Sequence, residues 1–291
     1  MDYVPHTPAD EQRMKQLIGI DSLDELFADI PSRFLLKEAL ALPPGVTEME
    51  LAALMTDLAD RNRRPALTLT GAGAYRHWIP AVVGHVLSRA EFYTAYTPYQ
   101  AEISQGILQA IYEYQTMIAG LTGMQVANAS MYDGATAMAE AAVLAAKTLN
   151  RKELLVAQSV HPEYRQVVRT YAWANGYEVV ETPYLPTGQA DLDALRRTVG
   201  RETAAVLIQS PNFFGVIEDI TPLAAIAHPP GSLLVTGFTE ATSLGILKPA
   251  GSQGADFVTG EGQAFGNPVN FGGPYLGIFA AAEKFLRKIP G

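Results

Sequence analysis

The stretch ELLVAQSVHPEYRQVVRTYAWANGYEVVE, residues 153–181, decides the fold. Residues 153–157 are a short apolar run that reads as a buried strand. Residues 162–175 then repeat apolar side chains at helical spacing, with Pro162 in the first turn and Asn175-Gly176 at the end, the usual asymmetry of helix termini. Residues 177–181 return to strand, completing a strand–helix–strand unit. The alternation continues downstream, with a helix over 191–199, a strand over 204–209, a helix over 221–227 and strands over 232–236 and 256–259. Upstream, 106–121 has helical spacing and 135–149 is an alanine-rich helix. Short buried strands alternating with amphipathic helices imply βαβ units and a mostly parallel sheet covered on both faces. The expected fold class is therefore α/β, a three-layer αβα sandwich. Residues 281–289 are expected to form a last helix that stops at Pro290-Gly291.

Toward the N-terminus the pattern changes. Residues 1–65 read as an arm of short helices, with acidic first-turn residues in 21–26, a stop at Ile30-Pro31 and a break at Pro43-Pro44-Gly45. Thr47 and Glu50 have the spacing of a capping box, opening a helix that carries Leu51, Leu54, Met55 and Leu58. A large domain is expected over 66–291. It begins with residues 66–69 and the loop Gly71-Ala72-Gly73-Ala74-Tyr75, whose glycines suit a tight turn, followed by a long helical stretch and the segment 92–105.

Composition narrows the function. At 291 residues and 48% hydrophobic, the chain is long enough to bury a substantial core. A net charge of −9 and a pI near 5.1 give no footprint for nucleic acid or an anionic membrane surface. With no cysteine, disulfides, thiol nucleophiles and cysteine-ligated metals are excluded. The five histidines, at 6, 77, 85, 161 and 228, lack metal-ligand spacing, so no metal site is expected. There is no secretory leader, and no apolar run nears the roughly 20 residues a bilayer requires, so a cytoplasmic protein is expected. The nucleophile elbow, the P-loop and a dinucleotide-binding glycine motif are all missing.

Two segments could carry chemistry. Residues 128–137, NASMYDGATA, lead into the alanine-rich helix and could present free N–H groups and a helix dipole to an anion; equally, their small side chains could serve close packing against the sheet. His161 stands at a strand-to-helix junction, where it could stack on a flat ring or simply be a satisfied histidine.

Taken with YVPHT (3–7), IDSLDELF (20–27), the distinctive YTPYQAEISQG (96–106), ASMYDG (129–134), QSPN (209–212), GAD (254–256) and GEGQ (260–263), these segments resemble the glycine cleavage system P-protein family, glycine dehydrogenase (decarboxylating), in the first subunit of its two-subunit form. The resemblance spans the whole chain. It implies the large domain of pyridoxal-phosphate (PLP) transferases of fold type I, with the family's C-terminal small domain expected to be absent from this chain. It also places Gln263 where catalytic relatives carry the lysine that anchors PLP, and an amide cannot form that bond. The carboxylate expected after the strand at 233–235 is replaced by Thr236-Gly237-Phe238-Thr239, with none before Glu240. Among the lysines only Lys248 lies near a sheet edge, and Leu247-Lys248-Pro249 reads as a surface turn.

The resemblance thus implies a subunit that holds no PLP itself and completes the site of a lysine-bearing partner, as αβ pairs doubled to α2β2. The complex would decarboxylate glycine and pass the aminomethyl group to a lipoyl carrier protein. Tyr96, Tyr99, Gln100, Glu102, Ser104 and Gln105 are the residues expected to enter the partner's site, as phenols, amides and a carboxylate suited to positioning a small amino acid and moving a proton. Asn270, Gly272 and Gly273 are expected to touch the partner's PLP phosphate. The alternatives are a self-sufficient PLP lyase or aminotransferase anchored at Lys248, and a regulatory relative that kept the fold without the chemistry.

Overall fold

The structure, a computed structural model, describes residues 5–63, 65–71, 73–93, 97–270 and 272–290. The chain falls into two compact units, Met1–Leu67 and Thr68–Gly291. In the first, helices α1 (Pro8–Ile18) and α2 (Glu48–Asp60) each open with a capping box: the Thr7 and Thr47 hydroxyls accept from the backbone at Asp10 and Glu50, whose carboxylates accept in return. No described residue of this unit is buried.

The second unit holds the sheet. Its strands are β1 (Val126–Ala127), β2 (Glu153–Ala157), β3 (Glu178–Thr182), β4 (Thr203–Gln209), β5 (Leu233–Phe238), β6 (Phe257–Glu261) and β7 (Gly277–Ala281), in the order β1-β7-β6-β5-β4-β2-β3. From β6 to β3 all neighbours are parallel; β7 is antiparallel to both β6 and β1. The helices are α3 (Ala81–Leu87), α4 (Ala90–Tyr93), α5 (Gln105–Thr122), α6 (Gly134–Leu149), α7 (Pro162–Asn175), α8 (Leu192–Thr198) and α9 (Ile220–Ala227).

Alternation along the strands sorts the two faces. Gly237 and Thr259 turn toward α6, which packs across β4 to β7 with α7 alongside. Phe238, Val258, Ile278 and Ala280 turn the other way and cluster with Ile118 of α5. On that same face α9 packs on β5. A Cβ at Gly237 would lie 2.2 Å from the Met138 Cε, so an added methyl would have to displace the end of that side chain. The αβα expectation therefore holds, and apart from the unanticipated two-residue β1 the strands and helices between 105 and 261 fall within one or two residues of their expected bounds, β5 and β6 running two residues further.

Two expectations fail. Residues 281–289 do not form a helix: Gly277–Ala281 is strand β7, buried on both faces between β1 and β6, and only a 3-10 turn, Glu283–Phe285, follows. The long helical stretch before residue 92 is two short helices, α3 and α4. They are separated at Ser88 and Arg89, where the Arg89 N–H donates three residues back to the Val86 carbonyl rather than four. Among the described residues no helix is long and apolar enough to cross a membrane.

Candidate functional site

A cleft lies at the carboxyl ends of β2, β4 and β5, the place where α/β sheets hold ligands. It consists of two hollows of about 240 and 300 Å³ that share Gly73 and His161. The strand-to-helix junctions build it. After β2, His161 caps α7: its Nδ1 accepts from the Glu163 N–H at 3.2 Å, and its own backbone N–H donates to the Gln209 Oε1 at 2.8 Å, tying β2 to the end of β4. The buried imidazole packs on Tyr164 and edge-on to Phe213, with ring centres 5.3 and 5.1 Å away. His161 is thus both a satisfied structural residue and a wall of the cleft.

Beyond β4, the buried Glu218 gathers the loop into place. Its Oε1 accepts from the Ala190 N–H at 3.0 Å and the Asn212 Nδ2 at 2.8 Å. Beyond β5, Thr239 and Glu240 line the larger hollow. The Glu240 carboxylate is engaged: one oxygen lies 3.0 Å from the His77 Nε2, and the other accepts from the backbone and hydroxyl of Thr242.

The smaller hollow is acidic, lined by Asp133, Glu163 and Glu261, with Tyr164 and Tyr275. Here α6 begins. The Asp133 carboxylate caps it by accepting from the Thr136 N–H at 2.8 Å, and the Gly134 N–H donates to the Glu261 Oε2 at 3.0 Å. The other Glu261 oxygen accepts from the Gln263 and Leu276 N–H groups, each at 3.0 Å. Burial raises the Glu261 carboxyl above its ordinary range against the pull of these three N–H donors, and Asp133 adds repulsion. Tyr164, 9% exposed, is pushed well up by the same burial and the nearby carboxylates. Tyr114, whose buried hydroxyl has no partner among the described residues, is pushed up to about 12 by burial and by Glu261.

Packing explains the small residues of 128–137. A Cβ on Gly134 would lie 2.3 Å from the Tyr164 hydroxyl and 2.9 Å from the Glu261 backbone nitrogen, so α6 starts in direct contact with β6. Of the two readings of this segment, close packing against the sheet is the one the geometry supports.

Gln263 is buried; its backbone N–H is held by Glu261 and its amide donates to the Asn267 carbonyl. Tyr99, 91% exposed, Gln100, Glu102 and Gln105 lie on the surface, Ser104 is buried at the start of α5, and none of them lines the cleft. Tyr96 lies outside the described residues. Asn270 and Gly272 are exposed and Gly273 is half-buried, likewise away from the cleft. Lys248 lines a separate hollow with Thr236, Phe238 and Val258 on the α5–α9 face, so its ammonium is not in the cleft. Among the described residues no cluster of histidines and carboxylates could hold a metal ion. Sequence reasoning missed Glu261, Tyr164 and Glu240–His77; only the position of Glu261, two residues before Gln263, hinted at the first.

The cofactor implied by the sequence resemblance would need an amine, a seat for its phosphate and a carboxylate on its ring nitrogen. Against these needs the chain offers a buried amide at 263, a helix start already taken by carboxylates and a glutamate committed to His77. The residues present do not fit PLP.

The family model described as glycine cleavage system P-protein matches residues 1–291. Proteins called "Probable glycine dehydrogenase (decarboxylating) subunit 1" from Desulfitobacterium hafniense and Carboxydothermus hydrogenoformans are 52% and 50% identical over 293 residues, covering 100% of this chain and 65% and 66% of their own lengths. The chain thus spans just under two thirds of these relatives. A crystal structure of glycine decarboxylase (P-protein) of the glycine cleavage system, in inhibitor-bound form, superposes with a TM-score of 0.91 at 45% identity, covering 100% of this chain and 65% of that one. The sphingosine-1-phosphate lyase of Burkholderia pseudomallei shares the fold alone, with a TM-score of 0.63 at 16% identity over 87% of this chain and 62% of its own.

Proposed function

Because this chain belongs to the glycine cleavage system P-protein family, we propose that it is the half of a glycine decarboxylase that binds no PLP and completes the active site of a lysine-bearing partner subunit. The assembled enzyme takes glycine, releases CO₂ and passes the aminomethyl group to a lipoyl carrier protein. PLP, held by the partner, supplies the electron sink for decarboxylation. This chain supplies walls and polar groups at the interface between subunits.

The observation that carries the proposal is Gln263. At the position the family resemblance assigns to the anchoring lysine stands an amide, buried and tied to the Asn267 carbonyl, and among the described residues no amine lines the cleft to replace it. Two further features support delivery to another chain. Tyr99, Gln100 and Glu102 are exposed on the surface of their own subunit, where phenol, amide and carboxylate are available to a neighbour. Leu51, Leu54, Met55 and Leu58 are exposed along α2, so the arm 1–65 is part of the same proposal, as a grip on the partner. In this reading Asn270, Gly272 and Gly273 approach the partner's PLP phosphate through backbone N–H groups.

The test is reconstitution. The chain, its lysine-bearing partner and the mixture are each assayed for glycine-dependent exchange of labelled CO₂. Exchange is expected in the mixture and not in this chain alone. An inactive mixture, or exchange by this chain without the partner, contradicts the proposal.

A further inference from the structure

The start of α6 is where this cleft could hold a phosphate, and the chain has filled it from within. An α-helix begins with N–H groups that lack intrahelical acceptors and carry the positive end of the helix dipole. Here the Gly134 N–H donates to the Glu261 Oε2 and the Thr136 N–H to the Asp133 Oδ1. Glu261 does more than cap. Its two oxygens collect N–H groups from three segments, Gly134 at the helix start, Gln263 in the turn after β6 and Leu276 before β7, each at 3.0 Å. That is the coordination a bound anion receives in a backbone nest, supplied here by a side chain.

Space and charge agree. The Glu261 carboxylate fills the space on which the Gly134, Gln263 and Leu276 N–H groups converge. Asp133 and Glu163 line the same hollow, and no lysine or arginine among the described residues lines either half of the cleft. A phosphate dianion entering here would meet carboxylates without a counter-cation.

We infer that Glu261 is an internal anion seated where a ligand phosphate would bind, and that it closes this half to PLP and other phosphorylated ligands independently of the missing amine at 263. The inference rests on the proposed function, in which this half holds no cofactor, and adds a second lock to it. Restoring the amine alone then restores nothing.

The full chain is compared as wild type, Gln263→Lys, Glu261→Ala and the double variant. Each is equilibrated with PLP, reduced with borohydride and weighed, and each is melted with increasing inorganic phosphate. Wild type and Gln263→Lys are expected to keep their mass and to show no phosphate-dependent change in Tm. Glu261→Ala, whose three N–H groups have lost their acceptor, is expected to gain a Tm that rises with phosphate concentration. The double variant is expected to trap pyridoxyl at position 263.

Glu261→Ser, which keeps one acceptor, replaces the alanine variant if that does not fold. Label trapped in Gln263→Lys with Glu261 in place overturns the inference, as does a folded Glu261 variant indifferent to phosphate. Either result leaves partner completion untouched, because the wild-type chain still has no amine at 263. Label trapped in the wild type is the separate outcome that removes the proposed function.

Discussion

The contact between the start of α6 and the end of β6 predicts that one chemical change, glycine to alanine, has opposite consequences at different positions. At Gly134 the new methyl meets backbone, 2.9 Å from the Glu261 nitrogen, and the Tyr164 hydroxyl at 2.3 Å. Backbone cannot rotate away, so α6 must retreat by about 0.5 Å to reach ordinary contact, loosening the face it packs on β4 to β7. Overpacking of this kind costs about 2–3 kcal/mol, which for a domain of this size lowers Tm by roughly 4–12 °C. At Gly237 the methyl meets the Met138 Cε at 2.2 Å, the end of a flexible side chain, although a fully buried one. There the cost is smaller, about 1–2 kcal/mol. At Gly120, near the end of α5, an added methyl meets nothing within 4 Å, and helix propensity favours alanine by about 0.5–1 kcal/mol. Urea unfolding followed by circular dichroism measures all three. The expected order of stability is Gly120→Ala above wild type, then Gly237→Ala, then Gly134→Ala. A Gly134→Ala protein within about 0.5 kcal/mol of wild type would falsify the close approach on which the site geometry depends.

Other outcomes follow from the same contacts. Burial holds the Glu261 carboxyl above its ordinary 4.5, so its folded form keeps the proton more tightly than the unfolded form. Its contribution is complete below that pH and is lost as pH rises through the raised folded value. The stability of wild type relative to Glu261→Gln should therefore fall across that window; a relative stability that climbs with pH contradicts the assignment. Leu207→Ala, which hollows the fully buried centre of β4, should cost about 2–5 kcal/mol in the same urea assay, and a loss below 1 kcal/mol would mean the sheet is not packed there as described. In the reconstituted enzyme, Glu102→Ala or Tyr99→Phe should lower turnover by about 10²–10⁴-fold, as losing a positioned proton-transfer group does. Wild-type rates from both variants would remove this loop from the partner's site.

The parallel part of the sheet was legible because its strands are short apolar runs, three of which, β2, β3 and β4, are followed by capped α-helices. His161, Asp191 and Asp219 mark those three helix starts. β7 was not legible: GIFAA has no polar alternation to separate strand from helix, because the strand is buried on both faces. β1 is two residues long, too short to carry any period. The site divides along the same line. His161 and Gln263 could be named from local strings, but the role of Glu261 depends on meeting Gly134, 127 residues earlier in the chain, which no local pattern encodes. The loop at 97–105 illustrates the reverse case: its residue types suggested chemistry, while the fold places Tyr99, Gln100, Glu102 and Gln105 on the surface away from the cleft and buries Ser104.

The claim on which the rest turns is the proposal that PLP is anchored on the partner and not on this chain. The direct measurement is the intact mass of the purified wild-type chain after incubation with PLP and borohydride reduction, followed by peptide mapping. An unchanged mass is predicted, with the label appearing only on the partner when both chains are present. A pyridoxyl group found stoichiometrically on one lysine of this chain, Lys248 included, contradicts it.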